Sequence, residues 1–376
     1  MRQIAVHRIR PDMVLGQTIY GGKGQVLVRG GTELTPRQIE ILQSLHVSSI
    51  LVDDEETADL EFSSGIREET RQEAYVFVGE LMSRLQASHM DLRTEDMDTA
   101  IRLGRLMYDE LLAAQVREIN LVPPRTAAEY AIQHPVQVAV VALVIGRGLR
   151  QPESVLHRAA ASALLMDIGE VWLPEELYAK AANLTTDEDA DSADLSDEER
   201  SKVREHPIRA LAMMRAAGQF DRVLATVVLQ HHERWDGSGY PRGLDGEEIN
   251  VGARVVAVAD TYDALLQERP YHDPMPPNMA MEYIMAFAGE LFDSDVGDAF
   301  VNTIPSFPPG MLVRLENGDQ GVVVKANLGL PGRPSVRVHY TNEGQRVRRP
   351  ILVDLSHPEN QVRSVAAPLD DWEVAT

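Results

Sequence analysis

The sequence of 376 residues contains no cysteine. Disulfide bonds and thiolate chemistry are therefore excluded, and any metal site must use imidazole and carboxylate ligands. The absence of disulfides fits a cytoplasmic location. The length is sufficient for two or three domains, each with a sizeable core.

Long apolar runs are also missing from the sequence. No run approaches the ~18 residues that a membrane-spanning helix needs. Residues 1–6 lack the apolar core of a signal peptide. We therefore predict that the chain has no association with a membrane.

Basic residues are outnumbered by acidic ones. The chain has 36 Lys and Arg against 58 Asp and Glu, which gives a formal net charge of −22. Nucleic-acid polymers and anionic membranes bind basic surfaces, so the composition argues against both as partners. A small anionic ligand in a local pocket stays compatible with this charge.

The pattern of turns and apolar residues divides the chain into four parts. Residues 1–55 predict a small α+β module, with strands at 25–28 and 49–52 and a helix starting at Thr35 and Pro36. Residues 306–376 predict a β-barrel-like module that ends in a loose tail of about a dozen residues. Its predicted strands cover residues 311–315, 321–325, 335–340 and 350–355.

Residues 56–125 predict a helical connector with two apolar stripes. One stripe comprises Tyr75, Val78, Met82 and Leu85, and the other comprises Ile101, Leu103, Met107, Leu111 and Leu112. These helices either pack on the next domain or form a dimerising, signalling connector, and the absence of sustained heptads favours packing.

Residues 126–305 predict an all-α bundle, with helices at 136–145, 155–165, 208–217, 223–232, 253–266 and 279–288. Inside it, residues 187–199 carry eight acidic side chains and no basic one. We predict a solvated loop there. A lid or a calcium site is less favoured, because the run lacks the glycine and spaced glutamate of an EF-hand loop.

The segment 231–241, with the sequence HHERWDGSGYP, is the strongest chemical signal. Imidazoles bind metals, and closely spaced glycines let the backbone approach a ligand. Further ligand-type residues lie at helical positions in the same domain. Pro135 predicts that His134 opens a helix, and Pro207 predicts the same for His206. Asp167 and Asp260 each follow an apolar run, where an unpaired carboxylate is costly to bury.

These residues resemble the HD-GYP family of HD-type phosphohydrolases. The resemblance rests on residues 231–241 and on Asp260-Thr261-Tyr262-Asp263-Ala264-Leu265 with Arg269-Pro270-Tyr271, and it covers the central domain closely and the flanks weakly. It implies a metal-dependent phosphodiesterase that opens cyclic di-GMP or a related cyclic dinucleotide, using iron or manganese ions on a helical bundle.

The resemblance also implies a role for each residue. One metal position would comprise His206, His231, His232 and the bridging Asp167. The other would comprise His134, Asp167 and Asp260. Asp260 would also orient or deprotonate the attacking water. Gly239, Tyr240 and Pro241 would shape the nucleotide pocket, and Arg269 would hold a phosphate. Tyr130 occupies the place of the glutamate of three-metal members, which favours a dinuclear site.

Three positions depart from the family pattern. Met166 replaces the histidine of the His-Asp pair, and a thioether is a poor ligand for iron(II) or manganese. Glu170 replaces a lysine that contacts phosphate, which reverses the charge there. His272 replaces a basic residue and can be neutral at pH 7. One metal position is thus complete, and the other lacks a ligand.

Three hypotheses follow from this pattern. The first is a cyclic di-GMP phosphodiesterase with reduced activity and two metal ions, or only one. The second is a degenerate member that binds a nucleotide or a partner protein without turnover, or self-associates through the connector. The third is a structural bundle with remnant histidines, against which the retained ligands argue.

Overall fold

The computed structural model describes residues 1–21, 25–44, 47, 49–60, 65–88, 91–114, 130–181, 195–218, 221–266 and 274–373. Its helices are α1 (Pro36–Ser44), α2 (Glu68–Ser88), α3 (Thr94–Ala113), α4 (Tyr130–Gly148), α5 (Glu153–Ala163), α6 (Glu175–Ala181), α7 (Asp197–Val203), α8 (His206–Ala216), α9 (Arg222–Gln230), α10 (Val251–Leu265), α11 (Pro277–Ala286) and α12 (Ser294–Thr303). Its strands are β1 (Arg2–Ala5), β2 (Val14–Leu15), β3 (Ile19–Tyr20), β4 (Val26–Val28), β5 (Ser49–Asp53), β6 (Leu312–Leu315), β7 (Gln320–Lys325), β8 (Ser335–Tyr340), β9 (Arg346–Asp354) and β10 (Val365–Leu369).

The N-terminal module is α+β, as predicted. β1, β5 and β2 form an antiparallel sheet in that order, and β3 pairs with β4. α1 begins where Thr35 and Gln38 form a reciprocal cap, since the Thr35 hydroxyl accepts from the Gln38 N–H and Gln38 accepts from the Thr35 N–H. Ile39 and Leu42 of α1 are buried in the module's core.

α2 and α3 pack on the central bundle. Their stripe residues Tyr75, Val78, Met107 and Leu111 belong to the same core cluster as α4 and α10. Among the residues of the predicted stripes, only Leu112 is largely exposed, at 44%. The packing hypothesis is therefore the one that the structure shows, and these stripes do not offer a free apolar face for self-association.

The central domain is a helical bundle built around α4. α4 packs against α2, α5, α10 and α12. The stretch Ala131–Gly148 is apolar enough to resemble a membrane span, but 78% of it is buried inside the protein, as in a core helix. The six helices predicted between 136 and 288 are all present, with bounds that differ by a few residues.

Two local predictions in this domain were wrong. His134 does not open α4, because the helix already includes Tyr130 and Pro135 lies inside it. A proline so close to a helix N-terminus removes few backbone hydrogen bonds and is tolerated. The end of the acidic run is not a loop, because Asp197 begins α7. Ser196 and Glu199 form a capping box there, and acidic residues stabilise a helix N-terminus. Residues 187–194 lie outside the described residues.

The C-terminal module is a five-stranded antiparallel sheet in the order β10-β6-β7-β8-β9. Within the described ranges β10 and β9 do not pair, so the predicted barrel closure is not found. The predicted loose tail was wrong: β10 pairs with β6, and Asp371 accepts a hydrogen bond from Arg2 at 3.1 Å. Apolar residues at Val365 and Leu369 continue the sheet in place of a tail.

The two flanking modules contact each other. The Gln3 N–H donates to the Gly310 carbonyl at 3.0 Å, and Arg337 donates to both carboxylate oxygens of Asp59 at 2.7 and 2.6 Å. These hydrogen bonds join the two modules directly to each other.

Candidate metal centre

Five elements bring the predicted ligands together. His134 lies in the second turn of α4 and Asp260 in the interior of α10. Asp167 follows the turn after α5, immediately before the 3-10 helix Ile168–Trp172. The other three are on α8 and α9: His206 is the first residue of α8, with proline after it as predicted, and His231 and His232 directly follow α9.

Gly169 allows Asp167 and His206 to approach each other. A β-carbon at position 169 would lie 2.0 Å from the His206 carbonyl oxygen and 2.8 Å from the Ala210 nitrogen. Only glycine fits such close backbone packing without displacement. The 3-10 helix therefore lies directly against the start of α8, and the carboxylate of Asp167 faces the imidazole of His206.

Four of the ligand-type residues form one compact group: Asp167, His206, His231 and His232. One potential ligand atom from each residue lies within 4.8 Å of those of the other three. The Asp167 Oδ1 atom is 3.8 Å from the Nε2 atoms of both His206 and His231, and those two nitrogens are 3.3 Å apart. We call these four residues the ligand group. It corresponds to the metal position that the sequence predicts to be complete.

Backbone carbonyls orient two of the imidazoles. The Nδ1 atom of His206 lies 2.9 Å from the Val203 carbonyl oxygen, and that of His231 lies 2.7 Å from the Val228 carbonyl oxygen. If each Nδ1 carries the proton, each Nε2 presents a lone pair to the ligand group. Burial and the neighbouring His231 lower the pKa of His206 to about 3. Burial also lowers the pKa of His232 well below its usual value. Neutral imidazoles are the form that binds metals.

His134 and Asp260 contact each other beside the ligand group. The His134 Nε2 atom is 2.9 Å from Asp260 Oδ1, and its Nδ1 atom is 2.7 Å from Asp263 Oδ2. Burial would lower the pKa of His134, but the two carboxylates outweigh it and raise the pKa to about 9. For Asp260, burial acts to raise the pKa, but the hydrogen bond and charge of His134 lower it overall.

Asp263 is a site residue to which the sequence analysis assigned no role. It is fully buried and hydrogen-bonded to a predicted ligand. Its position three residues after Asp260 places both carboxylates on one face of α10, which is the signal that could have identified it.

Met166 and Glu170 lie on either side of Asp167 in the chain. Met166 is only 1% exposed and belongs to the apolar core of the bundle. Burial and the like charge of Asp167 raise the pKa of Glu170 well above its usual value. Burial also raises the pKa of Asp167. The half of the site beside these residues thus has an excess of carboxylates and lacks the imidazole of the family pattern.

The Gly-Tyr-Pro loop covers the ligand group. The Tyr240 ring stacks on His232 with centroids 4.7 Å apart and lies edge-on to His206 at 6.3 Å. A β-carbon at Gly239 would lie 2.3 Å from the Arg234 nitrogen and 2.4 Å from the His232 carbonyl oxygen, so only glycine lets the loop fold back on the histidine pair. Pro241 follows Tyr240 through a cis peptide bond.

Glu233 anchors this loop, which the sequence analysis did not predict. Its side chain is 2% exposed, and its two carboxylate oxygens accept hydrogen bonds from the backbone N–H groups of Arg242 and Leu244, both at 2.9 Å. By accepting two backbone hydrogen bonds, this carboxylate holds the segment after Pro241 against the end of α9.

Two predicted residues cannot be placed. Arg269 and His272 lie outside the described residues, so their predicted phosphate contacts stay predictions.

Comparisons with known proteins agree with this geometry. An HD domain model matches residues 116–296, and a model described as a KOW domain associated with HD domain matches residues 312–374. The cyclic di-GMP phosphodiesterase PA4108 of Pseudomonas aeruginosa is 32% identical over 300 residues, which cover 78% of this chain and 70% of that protein.

Two further relatives match less than half of this chain. The cyclic di-GMP phosphodiesterase response regulator RpfG of Xanthomonas campestris is 36% identical over 162 residues, covering 43% of this chain and 40% of that protein. The 3'3'-cGAMP-specific phosphodiesterase 2 of Vibrio cholerae is 29% identical over 181 residues, covering 48% of this chain and 30% of that protein. The extent of the first match, together with the HD domain model, assigns the chain to the family that its Gly-Tyr-Pro loop predicts: it belongs to the HD-GYP branch of the metal-dependent HD phosphohydrolases.

Proposed function

We propose that this chain is a phosphodiesterase that opens the ring of a cyclic dinucleotide, cyclic di-GMP in the first place, with one firmly held divalent metal ion and reduced activity. The observation that carries the proposal is the ligand group, in which three imidazoles and one carboxylate converge within 4.8 Å. The relatives named cyclic di-GMP phosphodiesterases support the substrate class. The relative named for 3'3'-cGAMP makes that dinucleotide the alternative substrate.

The donors of the ligand group suit a divalent transition metal. Three imidazoles and a carboxylate match the N and O preference of iron(II) and manganese. Asp167, His206, His231 and His232 would hold the ion, and none of them needs a large rearrangement to do so. A bound ion would supply positive charge that neutralises a phosphodiester and acidifies a water molecule.

The surrounding residues would position the substrate. Tyr240 lies flat against His232 and presents its ring at the entrance to the ligand group. Gly239 and Pro241 fix the loop that carries it, and we assign the nucleotide pocket to this loop. We assign the phosphate contact to Arg269 on the resemblance alone.

The second metal position would be weak. His134 and Asp260 would supply ligands, but they already form a hydrogen bond with each other at 2.9 Å. An ion bound there would have to displace this hydrogen bond. It would also lack one imidazole ligand, because Met166 stands in the place of a histidine. Glu170 would also lack the positive charge with which the family's lysine attracts a phosphate. We therefore infer that Asp260 still orients or deprotonates the attacking water. We expect the reaction to be slower than in members with an intact His-Asp pair.

A second candidate function is binding without turnover. The observation that favours it is the combination of Met166 and Glu170 beside a ligand group that is otherwise intact. In that case the chain would bind a cyclic dinucleotide or a partner protein as a signalling module. A cytoplasmic location would fit both functions.

Turnover assays on the full chain separate the two functions. The purified protein is loaded with Mn²⁺ or Fe²⁺ and incubated with cyclic di-GMP or 3'3'-cGAMP, and linear products are measured by chromatography. The proposal predicts slow linearisation of cyclic di-GMP that a His231→Gln variant loses, whereas the exposed His357→Gln variant retains it. Binding of cyclic di-GMP with no linear product from the metal-loaded chain would favour the second function.

A further inference from the structure

We propose that the edge of the C-terminal sheet is a docking surface for an extended acidic segment of a partner protein. The surface, which we call the basic edge, consists of Arg346, Arg348, Arg349, Ile351 and Leu352 on β9 and the groove beside them. It is separate from the ligand group, and the proposal does not depend on the phosphodiesterase activity.

The first observation is the position of β9 in the sheet. It is the last strand in the order β10-β6-β7-β8-β9 and pairs with β8 along one side only, among the residues that the structure describes. Val338 lies opposite Ile351, but Tyr340 lies opposite Arg346, so residues 347–350 bulge out of the ladder. The free side of an edge strand offers backbone N–H and C=O groups to an added strand.

The second observation is the exposure of two consecutive apolar residues, whose side chains project from opposite faces of β9. Ile351 is 57% exposed and Leu352 is 63% exposed. Leu352 is the direct cross-strand neighbour of Arg337, so the two side chains project from the same face of the sheet. Charged residues and proline commonly protect edge strands, and Arg348 and Pro350 are such residues here. The side chains of Ile351 and Leu352 nevertheless leave apolar area in contact with solvent.

The third observation is the groove between this face and the N-terminal module. It has a volume of about 560 Å³ and is lined by Glu56, Asp59, Arg337, His339, Arg346, Val347, Arg348 and Pro350. His339 is only 3% exposed, and its Nδ1 atom lies 3.5 Å from the Glu56 Oε2 atom, yet its Nε2 atom has no hydrogen-bond partner. A buried polar atom without a partner is costly, and a polar side chain of a bound segment that reaches into the groove could satisfy it.

Charge identifies the occupant. Arg337 and Arg346 are engaged with Asp59 and Glu56, but no ion pair of the described part of the chain engages Arg348 or Arg349. Residues 346–352 contain three arginines and no acidic residue, in a chain whose net charge is −22. Guanidinium groups bind carboxylates with two parallel hydrogen bonds. An extended segment that carries both carboxylate and apolar side chains would therefore match the arginines and the exposed apolar residues, Leu352 on the face of Arg337 and Ile351 on the opposite face.

Other occupants fit less well. A nucleic-acid polymer would be repelled by the negative net charge of the chain and would leave the two apolar side chains without contacts. A second copy paired edge to edge about a two-fold axis would bring the same arginines toward each other.

A peptide titration tests the proposal. The probe is a short fluorescein-labelled peptide that alternates Glu and Val, with a Gln and Val peptide as its neutral counterpart, and binding to the full chain is followed by anisotropy. We expect the acidic peptide to bind, the neutral peptide to bind about tenfold more weakly or worse, and added salt to weaken binding. The double variant R348A/R349A should lose at least about tenfold in affinity.

The matched control is R215A/R222A, which removes two exposed arginines from α8 and α9. It should bind the acidic peptide like the natural chain. A Leu352→Thr variant, which removes the apolar side chain but introduces a β-branched residue that favours a strand, should also bind more weakly. Methylation of alternate peptide nitrogens should abolish binding, because it blocks backbone pairing with β9. Melting curves of the variants confirm that each is folded.

Four results would overturn the proposal. They are no binding of the acidic peptide, equal losses in the two arginine variants, tighter binding of a uridine oligonucleotide through the same arginines, and a chain that is dimeric by light scattering and becomes monomeric in R348A/R349A.

Discussion

Asp167 is the residue at which the two halves of the site meet. Its carboxylate lies 3.8 Å from both His206 and His231, and burial raises its pKa. On one side it faces two imidazoles that backbone carbonyls orient. On the other side its chain neighbours are an apolar Met166 and a carboxylate at Glu170, where the family pattern has an imidazole and an ammonium group.

Restoring the family's histidine and lysine at positions 166 and 170 should strengthen metal and phosphate binding in the second half of the site. The double variant Met166→His, Glu170→Lys should bind an additional metal ion and turn over cyclic di-GMP roughly tenfold faster or more, because it gains a ligand and a phosphate contact. Metal content and product formation are measured together. Met166→Leu, Glu176→Lys is the control, since it keeps an apolar residue and reverses an exposed charge. An unchanged rate with an additional ion bound would show that the two departures do not limit catalysis.

The pairing of His134 with two aspartates should make stability depend on pH. The folded chain raises the pKa of His134 from an ordinary 6.5 to about 9, so protonation favours folding. This contribution is complete below pH 6.5 and is lost as the pH rises through 9. It corresponds to about 3 kcal/mol at most.

Melting of the chelator-treated chain between pH 6.5 and 9.5 measures this effect. We expect the melting temperature of the natural chain to fall over this range and that of a His134→Asn variant to change much less. Parallel slopes for the two proteins would contradict the His134 contribution.

At the scale of elements, the predicted helices were confirmed because apolar periodicity in the bundle is strong. The predictions that were wrong concern features that depend on contacts with neighbouring segments rather than on apolar periodicity. Pro135 suggested a helix start at His134, whereas α4 includes Tyr130. Residues 365–369 are too short a stretch for the sequence pattern to predict a strand. They form β10 because they pair with β6.

The Gly-Tyr-Pro loop depends on one carboxylate. Replacing Glu233 with Gln removes one acceptor and adds a donor opposite the N–H groups of Arg242 and Leu244. We expect this variant to lose about 1–3 kcal/mol of stability and to raise the KM for cyclic di-GMP, because the loop that carries Tyr240 loosens. The measurements are denaturant unfolding and steady-state kinetics.

The control for this variant is Glu247→Gln, an exposed glutamate later in the same loop region. It should leave both quantities unchanged. A Glu233→Gln variant with natural KM and stability would show that the loop is held in another way.

At the scale of the whole molecule, the flanking modules form a joint unit on one side of the bundle. Arg2 is 4% exposed and lies between Asp54 at 2.6 Å and Asp371 at 3.1 Å. The Ala5 N–H also donates to the Asp370 carbonyl at 3.3 Å. The sequence predicted each module but not their contact, because the residues involved are at least 278 positions apart and no local pattern links them.

Removing one partner of Arg2 tests this contact. An Asp371→Ala variant leaves a buried guanidinium with one carboxylate and should lower the calorimetric melting temperature by several degrees. Metal binding should not change, because the ligand group lies in the bundle. Asp370→Ala, an exposed neighbour, is the control. A natural melting temperature for Asp371→Ala would indicate that the modules are joined mainly by backbone contacts.

The sequence predicted which residues come together at the candidate site more completely than their arrangement. Histidines and aspartates at helical positions, read with the Gly-Tyr-Pro loop, named every member of the ligand group. The direct contact of His134 with Asp260, and the roles of Asp263 and Glu233, depend on how α4, α9 and α10 pack. Such distances between elements cannot be read from the spacing of residues along the chain.

The most direct test of the central claim is the number of metal ions per chain. The chain is purified, loaded anaerobically with Fe²⁺ or Mn²⁺, desalted and measured by elemental mass spectrometry. The account predicts one firmly bound ion per natural chain, which His206→Gln loses. Two firmly bound ions in the natural chain, or none, would contradict a site with one intact half.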